Sequence, residues 1–199
     1  MATSRPKPAL KASLRAAVAA VAGALTHLPV SGMLIGGIAV IARGVPRTTR
    51  DVDATVSADG GDVDTLLHIF EQHDLPSRID DARAFAQANQ VILLRHAPSG
   101  VDVDISLAWL PFELEALKAS EALTIGKAEV PVARPEDLVI YKAIAWRPQD
   151  QQDIERLLSL HGGRMDLARV RRIVAELAAA LEEPERPVEL ERVIRRALS

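Results

Sequence analysis

The stretch Arg50-Asp51-Val52-Asp53-Ala54-Thr55-Val56-Ser57 alternates charged or small residues with apolar ones, mainly valine, which is the period of a β-strand. Because residues i and i+2 of a strand point to the same face, the pattern predicts that Asp51 and Asp53 project together from a sheet. Two neighbouring carboxylates repel each other, and their burial is costly unless a cation lies between them. The alternative is an exposed strand face that carries two solvated acids.

A second acid pair, Asp102 and Asp104, alternates with valine and isoleucine in the same way along a strand predicted at residues 101–107. If this strand lies beside the first one, three or four carboxylates meet on one surface. Such a cluster is typical of a two-metal site, in which cations clamp the attacking and leaving oxygens of an in-line displacement. One of these acids could also accept the proton of an attacking hydroxyl group.

Gly36-Gly37 follows a short apolar run, residues 30–35, and precedes a helix predicted at residues 38–43. Glycine lets the backbone approach a ligand closely, and the start of a helix favours phosphate. The alternative is a simple turn. The spacing of these glycines is neither that of a P-loop nor that of a dinucleotide-binding fingerprint.

Two cations lie where they could hold phosphate. Arg47 has a planar guanidinium group, and Thr49 could add a hydrogen bond from its hydroxyl. Lys142, on a predicted helix, could neutralise charge on a leaving pyrophosphate, and Asp150 or Asp153 on the next helix could hold it in place. The alternatives are loop solvation for Arg47 and an ordinary salt-bridged helix pair for Lys142.

The apolar periodicity predicts a mixed α/β (α+β) fold: a small mixed β-sheet core with helices, residues 1–133, and a helical C-terminal part, residues 134–199. Helices are predicted at residues 9–25, 38–43, 62–73, 111–118, 135–146, 149–160, 166–181 and 188–198. Strands are predicted at residues 30–35, 50–57, 89–96 and 101–107, with a hairpin at 123–132.

The composition of the 199 residues is that of a globular protein, with 48% apolar and 26% charged residues. The absence of cysteine excludes disulfides, thiolate metal sites and cysteine nucleophiles. Residues 1–50 carry seven Arg or Lys and no acid, whereas residues 51–120 carry thirteen acids and four bases. No apolar run is long enough for a membrane span and no cleavable signal is recognisable, so a cytoplasmic protein without a membrane partner is expected.

The order of these features resembles the nucleotidyltransferase superfamily typified by DNA polymerase β. The features are Gly36-Gly37, then Arg47-x-Thr49-x-Asp51-x-Asp53, then an acid on a later strand, then Lys142-x-x-Ala145-x-Arg147-x-x-Asp150-x-x-Asp153. More narrowly, the chain is similar to the AbiEii/AbiGii and MenT type of nucleotidyltransferase toxin. The resemblance covers about residues 33–160.

The resemblance implies a role for each of these residues. The metal ligands for Mg²⁺ or Mn²⁺ are Asp51, Asp53 and Asp104, with Asp102 as an extra acid or as the alternative third carboxylate. The nucleotide-binding residues are Gly36, Gly37, Arg47, Thr49 and Lys142. The catalytic residues are Asp51, Asp53, Asp104, Lys142 and Asp153, with Asp150 as the alternative to Asp153.

The resemblance also implies partners. Members of this family modify RNA, often by adding nucleotides to a tRNA 3′ end, and pair with an antitoxin protein. We therefore expect a Mg²⁺-dependent transfer of a nucleotide from an NTP to an RNA hydroxyl group, as the toxin of a toxin–antitoxin system. The alternatives are transfer to a protein or to a small molecule such as an aminoglycoside, and a catalytically silent nucleotide-binding module.

Overall fold

The structure, a computed structural model, describes residues 10–57 and 62–199, and these residues form nine helices and one six-stranded mixed sheet. The strands are β1 (Gly32–Leu34), β2 (Val52–Ser57), β3 (Val91–His96), β4 (Val101–Ala108), β5 (Glu121–Ile125) and β6 (Ala128–Val132). The helices are α1 (Ala12–His27), α2 (Gly36–Ala42), α3 (Val63–Gln72), α4 (Ala82–Asn89), α5 (Pro111–Lys118), α6 (Pro135–Ala145), α7 (Pro148–His161), α8 (Leu167–Ala180) and α9 (Arg186–Leu198). The predicted mixed α/β fold class is confirmed.

The sheet order is β3-β4-β2-β1-β6-β5, and it brings the two acidic strands together. Strands β2 and β4 pair in parallel, and Asp53 lies opposite Asp104 in their register. Strand β1 pairs antiparallel with β2 and parallel with β6, whereas β3–β4 and β5–β6 are antiparallel pairs. The condition set for the two acidic strands, that they lie side by side, is therefore met.

The alternation of side chains along β4 separates its two faces. Val103 and Ile105 are fully buried, whereas Asp102 and Asp104 are partly exposed. Helix α1 packs against β2, β4 and β6, and it buries leucine and valine side chains at helical spacing. The sheet thus has an apolar layer beneath α1, while the carboxylates of β4 remain accessible to solvent.

The last four helices follow β6 directly. Helix α6 contacts α2 and also α7, α8 and α9, so it joins the helical part to the sheet. It ends at Trp146, which adopts a left-handed conformation (φ 49°), and α7 begins two residues later at Pro148. Lys142 in the last turn of α6 therefore faces the first turns of α7. The division of the chain at residue 133 stays a prediction.

Some predicted boundaries were wrong, and two of these corrections concern the site. Strand β2 begins at Val52, so Asp51 precedes the strand instead of lying on it. Helix α2 begins at Gly36 and not at residue 38, so both glycines belong to its first turn. Strand β1 is limited to Gly32–Leu34 because the chain turns immediately into α2.

Helix α4 was not predicted, because Phe85 is its only large apolar side chain and among its residues only Ala86 is buried. Its start is fixed by the side chain of Asp81, which accepts a hydrogen bond from the backbone N–H of Ala84 at 3.2 Å. Because α4 ends at Asn89, strand β3 begins at Val91 and not at residue 89, where the predicted strand began. The beginning of the first predicted helix, at residue 9, lies outside the described residues. None of the described helices is long and apolar enough to span a bilayer.

Candidate active site

A cavity of about 350 Å³ opens where the start of α2, the start of β2 and the α6–α7 turn meet. Six of the predicted site residues line it: Gly36, Gly37, Arg47, Asp51, Asp53 and Lys142. Thr49 and Asp153 are buried behind the wall and contact residues that line it. Asp104 lies one strand away from Asp53 and is held by a cation that sequence reasoning missed.

The glycine pair lies against the carboxylate of Asp53. Gly36 has a left-handed backbone (φ +59°), and a Cβ at this position would lie 2.5 Å from Asp53 Cγ. The backbone N–H of Gly37 donates a weak hydrogen bond to Asp53 Oδ2 at 3.4 Å, and a Cβ there would lie 2.5 Å from Thr49 Oγ1. Glycine is therefore required at both positions so that Asp53 and Thr49 can lie against the first turn of α2.

We expect Gly36→Ala to impair the site more than Gly100→Ala, although both residues have a left-handed backbone. A Cβ at Gly100 meets nothing within 4 Å. The free energy of unfolding of that variant should therefore fall only by the cost of a left-handed alanine, about 1–2 kcal/mol. Gly36→Ala carries the same strain and also displaces Asp53. Urea denaturation and divalent-cation binding of both variants measure the difference, and equal losses in both would contradict a role for Gly36 in placing Asp53.

The carboxylates of Asp51 and Asp53 differ in their surroundings. Asp53 is largely buried, and burial together with the charge of Asp51 raises its pKa to about 6. Asp51 is exposed, and the hydroxyl of Thr49 donates a hydrogen bond to its Oδ1 at 2.7 Å. Thr49 therefore orients an acid, whereas the resemblance assigned it to the nucleotide. A buried, repelled carboxylate is stabilised by a nearby cation.

The donor set at this point fits a divalent cation. Within residues 10–57 and 62–199, no three Asp, Glu or His side chains are already grouped closely enough to enclose an ion. Asp51 and Asp53 nevertheless supply the hard oxygen ligands that Mg²⁺ prefers, and Mg²⁺ commonly takes its remaining ligands from water and substrate phosphates. The carboxylate of Asp53 occupies the space that a side chain at Gly36 would fill, and both residues line the cavity.

Asp104 is bound to Arg78. Its Oδ1 accepts a hydrogen bond from Arg78 Nη2 at 2.8 Å, and Arg78 Nη1 lies 3.2 Å from Asp102 Oδ2. Burial raises the pKa of Asp104 and the guanidinium of Arg78 opposes this shift, whereas the hydrogen bond from Arg95 lowers the pKa of Asp102. Of the two acids, Asp104 is the one opposite Asp53. Arg78 lies in the connection between α3 and α4, which carries no motif, so no sequence signal identifies it.

Lys142 and Arg47 form a cluster with two buried acids. Lys142 is 6% exposed, and its Nζ contacts Asp150 Oδ1 at 2.9 Å and Asp153 Oδ2 at 2.8 Å. Asp153 is 1% exposed and also accepts a hydrogen bond from Arg47. Asp150 and Asp153, the two alternatives for the acid that holds Lys142, thus both contact it. Asp153 also fixes Arg47 at the cavity wall.

Further residues line the cavity that sequence reasoning had not assigned to the site, including Ser106, Tyr141 and Gln149. The pKa of Tyr141 is raised by burial and by the charge of Glu113, so its phenol stays protonated. The side chain of Arg147 is 80% exposed at the cavity mouth, where it can reach an anionic ligand. Arg147 belongs to the motif that runs from Lys142 to Asp153, but the sequence analysis assigned it no role. Its position between α6 and α7 is the sequence feature that indicates a place at the cavity.

The sequence and the fold are those of a nucleotidyltransferase. Residues 17–195 match the family described as nucleotidyltransferase of unknown function, DUF6036, and the chain belongs to this family. The predicted superfamily and enzyme class are thereby confirmed, whereas the assignment to the AbiEii/AbiGii and MenT type stays a prediction. No curated protein matches the sequence.

Solved structures with the same fold support this class. An antigenic nucleotidyltransferase-like protein from Paracoccidioides brasiliensis has a TM-score of 0.53 and 18% identity, over 92% of this chain and 94% of that chain. The antibiotic-resistance factor ANT(2'')-Ia has a TM-score of 0.59 and 18% identity, over 87% of this chain and 97% of that chain. A second structure of ANT(2'')-Ia, in complex with adenylyl-2''-tobramycin, has a TM-score of 0.56 and 18% identity, over 85% and 99%. At this identity the likeness concerns the fold.

Proposed function

We propose that the chain transfers a nucleoside monophosphate from an NTP to an acceptor hydroxyl group, with Mg²⁺ or Mn²⁺ bound at Asp51 and Asp53. The observation that carries the proposal is that one cavity has the Asp51–Asp53 pair and a glycine turn on one wall and Lys142 with Arg47 on another. A volume of about 350 Å³ lies within the usual range for small-molecule sites. Acids and cations that face one small cavity suit a metal-bound triphosphate.

The triphosphate lies along the glycine turn and against the cations. Gly36 and Gly37 carry no side chain that would exclude it. Lys142 and Arg47 are held toward the cavity by Asp153, so their positive charge is positioned before the reaction begins. Preorganised charge of this kind stabilises the charge that develops on a leaving group.

The transfer is an in-line displacement at the α-phosphate. The acceptor oxygen forms a bond to phosphorus, the bond between phosphorus and the bridging oxygen breaks, and pyrophosphate leaves against Lys142 and Arg47. Asp104, opposite Asp53 on the neighbouring strand, either accepts the proton of the acceptor hydroxyl and returns it to solvent or binds a cation, in which case the proton passes to solvent directly. A bound divalent cation supplies charge neutralisation and polarisation of the phosphate.

The resemblance to nucleotidyltransferase toxins leads to a first candidate for the acceptor, which is RNA, such as a tRNA 3′ end. In that case the partner of the chain is an antitoxin protein. A specific observation favours a second candidate. Residues 51–120, which include the acid pairs of β2 and β4, carry thirteen acids and four bases, and this excess of negative charge opposes a polyanion. An amine-bearing small molecule is the acceptor that such charge attracts, and one solved structure of this fold contains adenylyl-2''-tobramycin.

Transfer of an α-phosphate label tests the proposal. The wild type and an Asp51→Ala/Asp53→Ala variant are incubated with Mg²⁺ and each α-labelled NTP, together with total tRNA, cell-lysate protein or a panel of aminoglycosides. We expect label on one acceptor with the wild type only, since the variant lacks both carboxylates that hold the cation. Label on tRNA supports the toxin proposal, and label on an aminoglycoside supports the second candidate. Transfer by the variant, or none by the wild type to any acceptor, contradicts the proposed function.

A further inference from the structure

The third carboxylate of the site is already bound by a cation of the chain itself. Asp104 Oδ1 accepts a hydrogen bond from Arg78 at 2.8 Å, and Arg78 also contacts Asp102 at 3.2 Å. Asp102 in turn accepts a hydrogen bond from Arg95 Nε at 2.8 Å. These side chains form a row of alternating charge, and the row ends beside Asp53 because Asp104 lies opposite Asp53 in the sheet.

The backbone of Arg78 is fixed at the edge of the sheet. Its N–H donates a hydrogen bond to Leu93 O at 3.0 Å, and the preceding residue, Ser77, forms an isolated bridge with Leu94. Leu93 lies opposite Asp104 in the β3–β4 register, so the side chain of Arg78 crosses β3 to reach Asp104. The backbone is held by these main-chain contacts, whereas the guanidinium group is held by its ion pairs with Asp104 and Asp102.

We propose that Arg78 is a positioning residue that competes with a divalent cation for Asp104. It neutralises and orients this carboxylate in the metal-free protein, and it gives the carboxylate up when a cation binds there. The inference rests on the proposed function, since it requires a cation at Asp51 and Asp53. Two positive charges a few ångströms apart repel each other, so the ion pair with Arg78 lowers the affinity of Asp104 for the cation.

Isothermal titration with Mn²⁺ alone, without nucleotide, tests the competition. Arg78→Gln should bind Mn²⁺ about fivefold more tightly than the wild type, because it removes an ion pair of ordinary strength. Arg95→Gln is the matched control, since it removes an equal charge from the same row but from a residue that does not contact Asp104. Its affinity should change by less than about twofold. The gain in Arg78→Gln should also vanish in an Asp104→Asn background.

Equal Mn²⁺ affinities of the wild type and Arg78→Gln overturn the inference, and so does a gain that persists with Asp104→Asn or appears equally with Arg95→Gln. Should Arg78→Gln fail to fold, Arg78→Met replaces it. This variant also removes the charge but keeps an apolar side chain of similar length, so its affinity should lie above that of the wild type, and an unchanged affinity overturns the inference. Absence of Mn²⁺ binding by the wild type overturns the proposed metal site and this inference with it. Binding that is identical in all variants overturns the inference alone.

Discussion

Asp53→Asn is expected to abolish nucleotide transfer and, in the metal-free protein at pH 8, to raise the free energy of unfolding. The folded protein raises the pKa of Asp53 from 3.8 to about 6, mainly by burial and by the charge of Asp51. Stability from this group is therefore fully present below about pH 4 and is lost as pH rises through about 6. Above that pH the buried charge costs the metal-free protein up to about 3 kcal/mol, which the neutral amide avoids.

Chemical denaturation in EDTA at pH 8 and pH 4 measures this effect, and steady-state kinetics with Mg²⁺ measures the loss of transfer. The stability gain should be present at pH 8 and absent at pH 4, while kcat falls by at least about 100-fold. Asp51→Asn is the matched control, because it removes an exposed carboxylate of the same site and should give a smaller gain in stability. Lower stability of Asp53→Asn at pH 8, or transfer at the wild-type rate, would show that Asp53 is a structural acid.

Asp153→Ala is expected to destabilise the protein by about 3–5 kcal/mol, because it leaves two cations without their shared buried partner. Asp153 is 1% exposed, forms an ion pair with Lys142 at 2.8 Å and accepts a hydrogen bond from Arg47, and these two cations come from different parts of the chain. Loss of this acid also releases both cations from the cavity wall. The KM for the NTP should therefore rise more than kcat falls, since binding of the triphosphate depends on their position.

Urea denaturation of Asp153→Ala and of Glu155→Ala gives the comparison within one helix. Glu155 lies two residues further along α7 and pairs with Arg196 at 2.9 Å, but its side chain is 36% exposed and that of Arg196 is 62% exposed. Its removal should cost less than about 1 kcal/mol. The prediction for Asp153 is contradicted if both variants lose the same stability, or if Asp153→Ala retains the wild-type KM.

The acidic half of the site could be predicted from the sequence because it depends on local periodicity. The spacing of Asp102 and Asp104 indicated a strand with both acids on one face, and this strand does lie beside the one that carries Asp53. The spacing of Asp51 and Asp53 also placed them together, although Asp51 precedes its strand. Contacts between i and i+2 are set by the backbone, so they survive small errors in the boundaries of an element.

The partners of these acids could not be predicted, because they depend on long-range packing. Arg78 reaches Asp104 across β3 from a connection without any motif, and the pairing of Arg47 with Asp153 joins residues that are 106 positions apart. Helix α4 was missed for a related reason. It is eight residues long, buries only Ala86 and takes its position from tertiary contacts with β3.

The short turn through Trp146 has a consequence for how this enzyme can diversify. It places Lys142 over the sheet whose strands carry Asp53 and Asp104, so this lysine and these carboxylates are encoded in separate stretches of the chain. Recombination or mutation in the C-terminal helices can retune affinity for the nucleotide while the acidic strands stay unchanged. The ion pair between Arg47 and Asp153 limits such independent change. A substitution of either residue leaves the charge of the other without its partner.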